Sequence, residues 1–161
     1  MKKELMAKAT PATMALQKAG VAFTLHEYDY DPNAARIGLQ AADALGIAPE
    51  RLLKTLMAKA GGEIVCVLIA SDREVSLKRL AGPVGAKEAA MLAPQEAERV
   101  TGYHVGGISP LGQRKKVRTF IDAAALAFET VLVNGGRRGL QIEIAPAALV
   151  SALNASATAL S

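Results

Sequence analysis

Segment 51–70, RLLKTLMAKAGGEIVCVLIA, constrains the fold more than any other part of the chain. After Glu63 every residue up to Ala70 is apolar. The run is far shorter than the roughly 20 residues of a membrane span, and too continuous for a strand with one wet face. It is therefore predicted to be a central strand buried on both sides. Gly61-Gly62 just before it turns the chain back from RLLKTLMAKA, which makes the pair a hairpin. A strand buried on both faces needs apolar material on each side, and at 161 residues with 51% hydrophobic content the chain can supply it within one domain. With three Tyr, three Phe and no Trp, that material is Ala, Leu, Val and Ile. The same scarcity argues against a broad aromatic platform for stacked nucleic-acid bases.

Local signals supply the covering elements. Thr10-Pro11 reads as an N-cap with proline at the first helical position, opening PATMALQKA, and Gly20 stops that helix. In VAFTLHEYDY, Val21, Phe23 and Leu25 alternate with other residues, as in a half-buried strand, before the turn signal DPN. A helix is expected over about 35–45, ending at Gly46. Ser76 caps SLKRLAG and Pro94 opens PQEAERV. TVLVN and LQIEIA read as strands joined by GGRRG, with PAALVSAL as a closing helix. Short helices among mostly hairpin-linked strands predict an α+β domain around a mixed, mostly antiparallel sheet.

The common catalytic sets are missing. Neither His26 nor His104 has HExxH or CxxC company, so no metal or other cofactor is expected. There is no GxSxG elbow, and GGRRG lacks the lysine and hydroxyl of a phosphate-binding P-loop. Cys66, the sole cysteine, sits inside IVCVLIA and reads as a core residue. The N-terminus lacks an apolar leader core, so a cytoplasmic protein is expected.

Two features remain. Lys54 is the one charge inside LLKTL, and it either snorkels to a sheet edge or points into a cleft where it meets an anion or a carbonyl oxygen. GGISPLGQ, residues 106–113, is too rich in glycine and proline for regular structure; it is either a tight turn or a loop presenting backbone N–H donors. RKKVR follows directly. The net charge of +4 is clustered at Lys78, Arg79 and Lys87, at Arg114, Lys115, Lys116 and Arg118, and at Arg137 and Arg138, which suits a polyanionic partner.

In order along the chain, HEYDYDPN (26–33), LLKTL (52–56), TGYHVGGISPLGQRKKV (101–117) and DAAALAFETVLVNGGRRGLQIEIAP (122–146) resemble the YbaK family of freestanding aminoacyl-tRNA deacylases. That family is in turn similar to the editing domain inserted in bacterial prolyl-tRNA synthetases. The resemblance covers residues 10–154, leaving 1–9 as an N-terminal extension and 155–161 as a C-terminal tail. It implies removal of a misattached amino acid, chiefly cysteine, from tRNA(Pro), and extends to Cys-tRNA(Cys). The family's lysine matches Lys54, with Thr55 beside it, and its GxxxP loop matches Gly106 to Pro110, Ser109 included. Its tyrosine matches Tyr28. Ile37 stands where many relatives have phenylalanine, and Asn134 stands at a position often occupied by serine.

The chemistry implied is acyl transfer. Amides of Gly106 and Gly107 would stabilise the developing oxyanion, each such donor being worth roughly 3 to 4 kcal/mol, and Lys54 would position the carbonyl or terminal phosphate. The nucleophile is either water or the substrate's own thiol, which would leave as a thiolactone. Side chains at Gly106 and Gly107 are expected to reduce deacylation while leaving the fold largely intact. Arg114, Lys115, Lys116, Arg118, Arg137 and Arg138 would contact acceptor-stem phosphates without reading sequence, with prolyl-tRNA synthetase a candidate partner for tRNA selection. A monomer or weak dimer is expected. Two alternatives stay open at this level: editing of another small amino acid such as alanine, and an inactive RNA-binding or regulatory module of the same fold.

Overall fold

A computed structural model describes residues 9–161. The expected N-terminal extension, apart from Ala9, lies outside the described residues. The helices are α1 (Pro11–Ala19), α2 (Gln40–Leu45), α3 (Leu77–Val84), α4 (Pro94–Thr101) and α5 (Pro146–Leu153); the strands are β1 (Thr24–Glu27), β2 (Leu53–Ala60), β3 (Glu63–Ala70), β4 (Ala89–Met91), β5 (Arg118–Asp122), β6 (Val131–Asn134), β7 (Leu140–Ile144) and β8 (Ser156–Thr158). No helix among the described residues is long and apolar enough to cross a membrane.

The hairpin forms as its sequence dictates. Ala60 pairs with Glu63 across the two-residue turn, and both Gly61 and Gly62 have positive φ (56° and 87°), the backbone that such a turn requires and glycine adopts without cost. Period-two alternation then sends Val65, Val67 and Ile69 to one face and Cys66 and Leu68 to the other. The first set packs with Leu80 of α3, Phe120 and Leu160. Leu68 joins Leu53 and Ile121 in the main core with Leu16 of α1, Leu149 of α5 and the apolar face of β6 and β7. Central strand β3 is thus covered on both faces.

The strands form two sheets where one was expected. The order β4-β2-β3-β5-β8 makes a five-stranded mixed sheet, and β1-β7-β6 a separate antiparallel one. Besides their shared core, the two sheets are joined among the described residues by one backbone bridge, Leu52 to Leu132, in parallel. Beside it Arg51 donates Nε to the Thr130 carbonyl (3.0 Å) and Nη2 to Thr130 Oγ1 (2.7 Å) and to Glu143 Oε2 (3.0 Å). Glu143 also accepts from Thr130 Oγ1 and meets His26 Nε2 at 2.7 Å. The Thr130 hydrogen bond first, then His26 and the Arg51 charge, hold its carboxyl below the usual carboxylate range.

Other departures are local. The helix expected over 35–45 is a 3-10 turn at Ile37–Leu39 followed by α2; Gln40 is occupied holding both the N–H and the carbonyl of Asp31, at 2.6 and 2.9 Å. Residues 155–161, set apart in the sequence as a tail, carry β8, which pairs in parallel with β5. Leu160 is fully buried, and its N–H donates to the buried carboxylate of Asp122 at 3.1 Å. Leu160→Ala should cost about 2 to 5 kcal/mol of unfolding free energy, the range for a large aliphatic lost from a packed core. Urea denaturation with an unchanged slope is the measurement that checks it.

Candidate functional site

Beyond the Leu52–Leu132 bridge, β2 and β6 part, and two residues further on stand Lys54 and Asn134. The space between is a cleft of about 400 Å³. Tyr28, Ile37, Lys54, Thr55, Gly106 and Asn134, all singled out in the sequence, line it together with Tyr30 and Gln141. Its mouth carries the exposed apolar side chains of Ile37, Met91 and Val105.

Lys54 pairs with Ile69 in the middle of the five-stranded sheet. It does not snorkel to a surface carboxylate: among the described residues it is the only charged side chain lining the cleft, and it has neither an ion-pair nor a hydrogen-bond partner there. A half-buried ammonium with no counter-charge leaves a site that favours anions or carbonyl oxygens. Tyr28 adds a hydroxyl. Burial raises its pKa, and the Gly139 backbone and the Gln141 side chain only partly oppose this, so it stays protonated at neutral pH.

The glycine loop is braced from several sides. Tyr103 Oη donates to the Leu111 carbonyl (2.6 Å), Gln113 Nε2 to that of Ser109 (3.0 Å), and Asn134 Nδ2 to that of Gly106 (3.1 Å). Arg138 lies along the loop, stacks on Tyr30 at 4.9 Å and donates Nη2 to the Val105 carbonyl (3.0 Å). Since the Val105 carbonyl and the Gly106 N–H belong to one planar trans peptide, holding the first fixes the direction of the second. The Gly106 N–H has no acceptor among the described residues.

Here the expectation of a donor pair needs correcting. Gly107 does not line the cleft, and its N–H is spent on the His104 carbonyl at 2.8 Å. Its glycine serves packing: a Cβ would lie 2.8 Å from Arg137 Cα and 3.0 Å from Arg138 N. Ser109 and Pro110 also stand outside the cleft. Ser109 is fully buried and accepts from the Leu111 N–H (3.2 Å), while Pro110 lines a separate crevice with Leu16, Lys116 and Leu153.

The basic residues fall into two sets. Arg114, Lys115 and Lys116 are exposed with no acidic partner among the described residues. Arg118 is engaged by Glu63 through two hydrogen bonds (2.9 and 2.8 Å) and Arg137 by Glu27 (3.4 Å), while Arg138 is part of the loop brace. Cys66 lies outside the cleft, and burial pushes its thiol up to about 12.

Sequence reasoning missed Tyr30, Gln141 and the bracing role of Arg138. In LQIEI the alternation of Gln141 and Glu143 with aliphatics looks like a solvent face, but Gln141 is buried at 4% exposure.

The sequence profile of the aminoacyl-tRNA editing domain matches residues 31–152. A protein of Enterococcus faecalis named EbsC, described as a candidate Cys-tRNA(Pro)/Cys-tRNA(Cys) deacylase, is 36% identical over 131 residues, covering 80% of this chain and 79% of its own. A proline–tRNA ligase of Geobacillus thermodenitrificans is 32% identical over 96 residues, 60% of this chain and 16% of the ligase. The crystal structure of a candidate trans-editing enzyme for prolyl-tRNA synthetase superposes with a TM-score of 0.83 at 22% identity, covering 95% of this chain and 96% of the other.

Gly107→Ala should unfold more easily than the parent, because the methyl group meets backbone that cannot swing aside. Overpacking of this kind costs about 1 to 3 kcal/mol, or roughly 2 to 12 °C in Tm at this chain length, readable in a thermal melt.

Proposed function

The chain belongs to the aminoacyl-tRNA editing domain family, and from that premise we propose that it is a trans-acting deacylase that clears cysteine from Cys-tRNA(Pro). The observation that carries this reading is the unpaired Lys54 ammonium, the one charge among the described residues lining a cleft that is also lined by Gly106, whose N–H has no acceptor among them. An ester carbonyl seated there gains negative charge as it is attacked, and a fixed amide dipole and an ammonium favour that charge far more in a confined site than in water. Arg138 and Asn134 hold the loop beforehand, so little reorganisation is needed at the moment of reaction.

Among the described residues, no histidine, aspartate, glutamate or cysteine lines the cleft. The hydroxyls of Tyr28, Thr55 and Ser71 therefore lack a neighbouring general base of the kind that activates a protein nucleophile. A cysteinyl ester brings its own nucleophile. Its thiol sulfur bonds to the carbonyl carbon, the bond to the ribose oxygen breaks, and the thiol proton ends on that oxygen, releasing a thiolactone and free tRNA. The protein's part is to orient the ester and stabilise its oxyanion, which suits the sparse set of groups present. Serinyl and alanyl esters depend on water.

Arg114, Lys115 and Lys116, exposed and free of acidic partners, are the residues best suited to acceptor-stem phosphates. Contacts of that kind carry no sequence information, so tRNA choice is left to a partner, for which prolyl-tRNA synthetase is the fitting candidate. The setting is the cytoplasm, and the working unit a monomer or weak dimer.

Purified protein should release cysteine from Cys-tRNA(Pro) at least tenfold faster than serine or alanine from the corresponding esters, and Lys54→Ala should lower kcat by about 10²- to 10³-fold. Equal rates on cysteinyl and serinyl esters would remove the thiol route, and no release from any of the three would remove the deacylase reading. Binding of uncharged tRNA should weaken with salt, with a log–log slope of about −2 to −3 for three phosphate contacts. In Lys115→Ala/Lys116→Ala that slope should shrink towards −1; a filter-binding series in KCl measures both.

A further inference from the structure

Two buried side-chain oxygens lack a hydrogen-bond partner among the described residues, Thr55 Oγ1 and Gln141 Oε1. Both residues line the same cleft. Gln141 is only 4% exposed, and its backbone is held between β1 and β6, opposite His26 and Asn134. The backbone is therefore fixed by pairing on both sides, and the amide can meet a partner only through the cleft. Its side chain also lies beside the Tyr28 hydroxyl in the same cleft. Of its polar atoms, Oε1 is the one left as an open, buried acceptor. Buried acceptors of this kind are rare in native structures because the lost water is not replaced, and each one calls for a missing partner.

The partner must be a donor. In an aminoacyl ester the carbonyl and bridging oxygens only accept, whereas the α-ammonium has three N–H groups to give. Resting on the deacylase reading above, we propose that Gln141 Oε1, with Thr55 Oγ1 as a second acceptor, receives the substrate's α-ammonium and restricts the cleft to esters of free amino acids. Esters whose α-nitrogen is acylated, the class that includes peptidyl and formylated aminoacyl ends, are excluded: acylation removes the charge and most of the donors and adds bulk. A neutral acceptor serves this purpose better than a carboxylate would. A carboxylate in the same cleft would pair with Lys54 and quench the charge meant for the carbonyl.

The test compares Cys-tRNA(Pro) with its N-acetyl form, using the full chain, Gln141→Leu and Gln141→Glu. The parent should prefer the free amine in kcat/KM by about 10- to 100-fold, the span of one hydrogen bond to a charged group. Gln141→Leu should lose that factor on the free amine and keep the parent's rate on the acetylated ester, whereas Gln141→Glu, which retains an acceptor, should keep the preference. A thermal melt of each variant accompanies the assay. Equal loss on both esters in Gln141→Leu, or an intact preference, overturns the inference. The same comparison is made by equilibrium binding of 3′-cysteinylamino-3′-deoxyadenosine and its N-acetyl derivative, which cannot turn over. If the parent binds the free amine more tightly and Gln141→Leu does not, while no ester is cleaved, amine recognition stands and deacylation falls. If neither assay distinguishes the two forms, the inference fails.

Discussion

Everything at the site depends on how β2 is held against the small sheet. One backbone bridge, Leu52 to Leu132, brings the two sheets together, and the Arg51 guanidinium locks it by serving the Thr130 carbonyl, the Thr130 hydroxyl and the Glu143 carboxylate at once. Three bonds from one planar fork fix orientation as well as distance. Two residues later the strands have parted, and the chain has delivered Lys54 to one wall and Asn134 to the other. Were β2 and β6 to pair along their whole length, there would be a continuous sheet and no cleft.

The opposite wall is built by two glycine-rich loops pressed together. Loop 104–113 lies on the β6–β7 turn so closely that Gly107 has backbone, not side chain, as its neighbour. Such proximity lets Asn134 and Arg138 take hold of successive carbonyls of the first loop. Peptide planarity transmits that hold to the Gly106 amide. The arrangement explains why a loop with so little regular structure keeps one donor aimed in one direction, and why arginine, with a long stem and a planar head that stacks on Tyr30, fits position 138 better than lysine.

What was legible in the sequence follows the range of the forces involved. Lys54 stood out because a charge in an apolar strand has few places to go, and the hairpin because its turn and its alternation are both local. The cap at Thr10 and the stop at Gly20 were likewise written in adjacent residues. The parallel pairing of β3 with β5 and of β5 with β8 joins segments about fifty and forty residues apart, with no turn to announce it. Gly107 misled because its reason lies thirty positions away at Arg137. Gln141 went unmarked because the polar half of an alternating strand gives no sign of burial until its cover is known; here α2 and Tyr28 pack over the neighbouring Leu132 on that face. Arg118 and Arg137 looked like free charges because their glutamates come from distant strands.

The one cysteine carries a consequence for the proposed reaction, whose substrate bears a thiol. Cys66 sits within the central strand, wholly buried, with its ionisation pushed to about 12. Thiol–disulfide exchange needs a thiolate that can reach its partner, and this sulfur meets neither condition. The protein therefore offers nothing for a cysteinyl substrate or a released cysteine to cross-link with, and oxidative conditions that cap exposed thiols should pass it by. Under the proposed reading, a catalyst built this way keeps its own thiol out of reach of what it clears.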